Sequence, residues 1–155
     1  AAGIPFIFDP GQGLPMFSGP ELLDFISKAT YVTVNDYEGK LLEERTGKSI
    51  EALAESVEAL IVTRGGSGSS IYSGGQRIEI PCVKAKELLD PTGCGDAYRA
   101  GLLYGIATNR DWQATGQLAA VMGAIKIASR GGQNHEATRE HIARTYQQAF
   151  ESDIW

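Results

Sequence analysis

The chain has 155 residues, 43% of them hydrophobic and 21% charged, with a formal net charge of −5 and a sequence pI near 5.0. That length suits one domain with a real core, burying roughly 70% of its unfolded surface. The acidic balance argues against nucleic acid or an anionic membrane as a partner. No apolar run approaches the roughly 20 residues that would span a bilayer, and the opening Ala1-Ala-Gly-Ile-Pro5 is read as lacking a signal peptide because it has no basic start. Cys82 and Cys94 form neither a C-x-x-C pair nor a disulfide-dense pattern, so a reducing cytoplasm is the expected compartment. With His135 and His141 as the only histidines, a zinc site is not expected.

Taken in order, Ile4 to Pro10 reads as a buried strand closed by a turn, and residues 13–19 as a loop. Pro20 suits the first turn of a helix carrying Leu22, Leu23, Phe25 and Ile26. Residues 31–34 form a second buried strand, and Asn35 opens a helix that ends near Gly47. Ser49 caps a third helix with Ile50, Leu53, Ala54 and Val57 on one face. Residues 59–63 are the third buried strand, delivered to the turn Arg64-Gly-Gly-Ser-Gly68. Residues 70–73 and 77–80, split by Gly74-Gly75, look like a hairpin. Helices are then expected from the Gly93 region to about Ala107, from Asp111 to Ser129 with Gly131-Gly132 as the stop, and from Glu136 to Phe150. Strands alternating with helices predict a parallel α/β sheet with helices on both faces. Ligands of such sheets bind beyond the carboxyl ends of the strands, where the loops after Phe8, Val34 and Val62 lie.

The stretch Asp90-Pro-Thr-Gly-Cys-Gly-Asp-Ala-Tyr-Arg-Ala-Gly101 carries the most chemistry. Gly93 and Gly95 let the backbone turn sharply before a helix whose unpaired N–H groups and positive dipole end suit a phosphate. Asp96 stands beside that anion seat, a costly place for a carboxylate unless it accepts a proton from a hydroxyl attacking a phosphoryl group. The G-x-G-x-x-G fingerprint is absent because Tyr98 holds the third glycine position, and no Gly-Lys-Ser/Thr tripeptide follows a glycine cluster. A plain glycine-capped helix entry, with Asp96 as a dipole partner, is the simpler alternative. Cys94 is a spacer in the turn or a thiol whose pKa the helix start lowers. Arg99, one turn after Asp96, contacts phosphate or pairs with an acid.

Three other segments admit two readings each. Asn35-Asp-Tyr-Glu38 is a capping box, and Glu38 could also hold a water of hydrated magnesium. Thr63-Arg-Gly-Gly-Ser-Gly68 is a turn into the hairpin or a close approach to a nucleotide. Ser129-Arg-Gly-Gly-Gln-Asn134 is a helix stop whose exposed carbonyls could ligate a cation.

In this order the segments resemble the PfkB/ribokinase-type kinase family. Asp90-Pro-Thr-Gly-Cys-Gly-Asp96 is close to that family's Asp-Thr-x-Gly-x-Gly-Asp, with Pro91 as a variant second position. Asn35 and Glu38 match its Asn-x-x-Glu, and Thr63, Gly65 and Gly68 its Thr-x-Gly-x-x-Gly. The wording, including Phe8-Asp-Pro-Gly-Gln12, is most similar to bacterial adenosine kinases. The resemblance implies a ribokinase-like three-layer α/β/α fold and ATP- and Mg2+-dependent phosphorylation of a primary hydroxyl, the 5′-hydroxyl of adenosine first and a sugar such as fructose or ribose second. It implies Asp96 as general base and the amides of Gly93, Cys94 and Gly95 as the anion hole. Asn35, Thr63, Gly65 and Gly68 would line the ATP site, and Glu38 would act through the magnesium shell. Asp90, with carbonyls near Gly131 and Gln133, matches a place where some members bind K+. A homodimer is compatible with it. Family members are about twice this length, so residues 1–155 look like the C-terminal half, with the acceptor-recognising and lid segments missing and the isolated chain expected to be inactive.

Overall fold

The computed structural model describes residues 3–155. Five strands make one sheet in the order β1 (Ile7–Phe8), β2 (Tyr31–Asn35), β3 (Ala59–Thr63), β4 (Ser69–Ser73) and β5 (Gln76–Ile80). The first three are parallel and β4 runs antiparallel to β3. The α-helices are α1 (Gly19–Lys28), α2 (Asp36–Thr46), α3 (Ile50–Ala54), α4 (Cys94–Ala107), α5 (Trp112–Ile127) and α6 (Arg139–Phe150). They fall into two compact units. One runs up to Gly65 and includes Ser69–Glu79; the other joins Gly66–Gly68 to Ile80–Trp155.

The first unit is built on β3, whose residues from Ala59 to Val62 are all buried. A continuous apolar run of this kind is what a strand covered on both faces requires. Leu60 and Val62 join Val32 and Val34 of β2 in a cluster with Leu22 and Ile26 of α1 and Leu42 of α2. Each such fully buried side chain contributes about 1.5–3 kcal/mol. The helices around them are bounded by local chemistry. Ser18 and Glu21 cap α1 reciprocally, with Pro20 in its first turn, and α2 ends on Gly47 at φ 69°. Gly19 is required by packing, since a Cβ there would lie 1.9 Å from the Arg45 carbonyl oxygen.

Three expectations about this unit need correction. The first strand covers only Ile7–Phe8, not residues 4–10, and Ile4 and Phe6 are exposed. Pro5 has no N–H to give a ladder, and the Phe6 amide and carbonyl are turned to Thr30 and Tyr31. The expected loop at 13–19 begins as a 3-10 helix, Gly11–Met16, that buries Leu14. In addition α3 stops at Ala54, so Val57 packs on the core from beyond the helix.

The second unit contains α4, α5 and α6. A Cβ at Gly101 would lie 2.5 Å from the Ala119 Cα, and one at Gly105 would lie 2.5 Å from the Thr115 hydroxyl oxygen. The glycines therefore set how closely α4 packs on α5. Leu118, Val121 and Ile125 of α5 form a cluster with Val83, Tyr146 and Ile154. The Tyr146 hydroxyl donates to Gln117 Oε1 at 2.6 Å. Helix α5 ends at Ile127 with Ala128 as its C-cap, before Gly131-Gly132, and α6 starts at Arg139 behind a Thr138 cap rather than at Glu136. Cys82 is exposed. Among the described residues no helix is long and apolar enough to cross a membrane.

Candidate functional site

In the first unit the parallel pairing brings the carboxyl ends of β2 and β3 side by side, with Asn35 opposite Thr63. The loops after β1, β2 and β3 thus leave from one edge of the sheet, as parallel strands require. Asn35 is the N-cap of α2. Its side-chain oxygen accepts from the Glu38 amide at 2.7 Å, and Glu38 Oε2 accepts from the Asn35 amide at 2.8 Å. The capping reading of this motif is therefore realised. It employs one carboxylate oxygen of a half-buried Glu38 and leaves the other for a further contact.

Beyond Thr63 the chain forms the 3-10 turn Gly65–Ser67. Gly65 has φ +52° with open space where a Cβ would be, and the space beside Gly66 is open as well. Gly68 differs: at φ +83° its Cβ position lies 2.2 Å from the Ile80 carbonyl oxygen. A glycine is needed there to let the chain pass itself. Arg64 is held in place by Glu79 at 2.7 Å and by the Ser70 hydroxyl. Burial raises the Glu79 pKa, but the Ser70 hydroxyl, Arg64 and Arg77 outweigh it and leave the carboxyl below its ordinary value.

In the second unit the loop from Asp90 to Gly93 is fixed by a segment about forty residues later. The Leu89 and Asp90 amides both donate to the Ile127 carbonyl, at 2.9 and 3.2 Å. Asp90 Oδ1 accepts from the Thr92 amide at 2.9 Å and Oδ2 from the Gly131 amide at 2.8 Å. These bonds hold its carboxyl at about 2, the Thr92 amide and side chain first and then Gly131, with burial opposing and the Lys126 charge assisting. Gly93 is the N-cap of α4 at φ +81°, and a Cβ there would lie 2.9 Å from the Gly132 carbonyl oxygen.

The helical ladder of α4 opens with the Ala97 amide donating to the Gly93 carbonyl, and the Cys94 amide turns back to Pro91 at 3.0 Å. The amides of Gly95 and Asp96 remain ahead of the ladder, at the positive end of the helix. Of the three amides expected to form an anion hole, Cys94's is thus already engaged, while the Asp96 amide stands ahead of the ladder beside that of Gly95. Asp96 itself is 87% exposed and pairs with Arg99 at 3.3 Å. Arg99 takes the acid-pairing alternative, and its guanidinium lies 2.8 Å from the Cβ position of Gly95. The lowered-pKa reading of Cys94 is corrected: burial pushes the thiol up, and its sulfur faces the Asp90 carbonyl at 3.9 Å.

Lys126 was not singled out from the sequence. It is completely buried, and its Nζ donates to the Asp90 and Ser129 carbonyls at 3.1 Å each. The available signal was a single charge inside the otherwise apolar run Leu118–Ile127.

In the second unit the amides at the start of α4 suit an oxyanion. In the first, Gly65 leaves open space after a buried strand and Glu38 keeps one carboxylate oxygen beyond its cap. The groups around Asp90 do not fit K+. Both carboxylate oxygens there accept amides, and the carbonyl accepts a lysine ammonium.

The chain belongs to the pfkB family of carbohydrate kinases, whose family model matches residues 4–139, and it has the ribokinase-like fold. It is 37% identical over 135 residues to a nucleoside kinase of Methanocaldococcus jannaschii, covering 87% of this chain and 45% of that protein. Among solved structures it is similar to the Burkholderia thailandensis nucleoside kinase in complex with inosine, at 51% identity and TM-score 0.96 over 98% of this chain and 50% of that one. The complex of the same enzyme with ADP-inosine gives 51% identity and TM-score 0.95, over 98% of this chain and 48% of that one. The chain spans about half the length of the curated relatives it matches.

Proposed function

We propose that these 155 residues are the C-terminal part of a ribokinase-like kinase domain that transfers the γ-phosphoryl group of ATP to the 5′-hydroxyl of a nucleoside. The observation that carries this is the Gly93-capped start of α4, which presents two amides ahead of the helical ladder and an exposed carboxylate three residues after the cap. The likeness to nucleoside kinases supports a nucleoside over a sugar, with adenosine and inosine the first acceptors to try.

Asp96 accepts the proton of the attacking hydroxyl, and Arg99, 3.3 Å from its carboxylate, orients it. The Gly95 and Asp96 amides donate to oxygens of the transferring group, where negative charge develops. Gly93 holds the turn that aims them. Asn35, Thr63 and Gly65 take the nucleotide at the carboxyl ends of β2 and β3, with Gly68 supplying the bend that follows. Glu38 would hold a water of the magnesium shell through the oxygen its cap leaves free. Mg2+, when bound with ATP, offsets phosphate charge.

Asp96→Asn in the full-length protein should lower kcat by about 10²–10⁴-fold, the usual worth of a positioned base, while the KM for ATP changes little. Turnover within a few-fold of wild type would refute the assignment. An acceptor panel of adenosine, inosine, ribose and fructose decides the substrate class in the same assay.

A further inference from the structure

Lys126 sits in the last turn of α5, where a cation is favoured by the negative end of the helix. A lysine merely covering apolar surface carries its head out to water. This one is fully enclosed, and its head group reaches two backbone carbonyls, one before Gly93 and one after α5. An ammonium buried without acceptors costs several kcal/mol. Here the carbonyls of Asp90 and Ser129 and the nearby Asp90 carboxylate compensate it. The contact spans 36 residues of sequence and ties down the same loop that the Gly131 amide ties down through the Asp90 carboxylate.

Gathering carbonyl oxygens from two chain segments around one positive charge is the task a bound monovalent cation performs. We propose that Lys126 is a positioning residue whose ammonium group is the resident cation of the Asp90–Asp96 loop, so that the loop keeps its shape without a bound K+ ion. The kinetic part of this inference rests on the kinase reading above. The structural part does not.

The test compares KCl with tetramethylammonium chloride, an ion too large for such a site, at equal ionic strength on the full-length protein. Thermal midpoint and turnover are both read. The wild type should give the same midpoint and the same turnover in both salts. Lys126→Met, and Lys126→Gln, which keeps a donor without the charge, should melt lower and turn over several-fold more slowly in tetramethylammonium, with KCl restoring part of both losses because an ion that binds only the folded state stabilises it. A K+-specific rise in the wild-type midpoint, or several-fold activation of the wild type by K+, would overturn the proposal. So would variants that melt and turn over like the wild type, or losses that K+ does not relieve. Should neither variant fold, the wild-type comparison still decides. The midpoint arm holds even if no kinase activity is found, so failure of the functional reading and failure of this one are distinguishable.

Discussion

The loops after β2 and β3 and the loop before α4 are both glycine-bearing turns, yet they are held by different means. At β2 the cap is local: Asn35 and Glu38, three residues apart, satisfy each other's backbone. Gly65 has nothing within 4 Å of its Cβ position, so its positive φ is the only constraint on it. At α4 the shape is imposed from a distance, by Lys126, Ile127, Gly131 and Gly132 acting on Asp90 and Gly93. The difference teaches that one chain can hold some of its turns by local bonds and others by tertiary packing, and substitutions should separate the two.

The largest effect expected from that contrast is at the glycines. Gly93→Ala must both hold a left-handed residue and push back the Gly132 backbone, for a loss of about 2–4 kcal/mol. Gly65→Ala carries only the left-handed penalty, about 1–2 kcal/mol. Urea-unfolding midpoints of the full-length protein measure both, and equal losses would break the comparison.

The cap is next. Asn35→Ala should cost about 1 kcal/mol, as the loss of an N-cap side chain commonly does, whereas Asn35→Asp should cost little. The same unfolding assay reads it, and a neutral Asn35→Ala would show that the local cap is not what holds the β2 loop.

The smallest effect is one of pH. The Asp90 carboxyl is held at about 2, below its ordinary 3.8, so its contribution to stability is fully present above about pH 4 and is lost as pH falls towards 2. Asp90→Asn should be less stable than wild type at neutral pH, and the gap should narrow across that acid window. A gap that stays constant from pH 6 to pH 2 would mean that the ionised carboxylate is not what holds the loop.

Much of the site was legible because its signals are short-range. The 59–63 strand, the Asn35–Glu38 cap and the glycine entry to α4 each follow from residue types within a few positions of one another. Gly68 was harder: the sequence shows a glycine in a nucleotide-type motif, and only the fold shows its own chain filling the space beside it. The shortness of β1 was likewise hidden, because an apolar run does not say where its amides and carbonyls will turn.

The sequence by itself determined the alternation of strands and helices, the caps and the family motifs, since these rest on backbone preferences and on bonds between near neighbours. Only the tertiary structure decided that Asp90 is stapled to Gly131, that the Cys94 thiol is pushed up rather than down, and that Lys126 points inward to two carbonyls. Those outcomes depend on burial and on partners as many as 41 residues away, which no local pattern encodes.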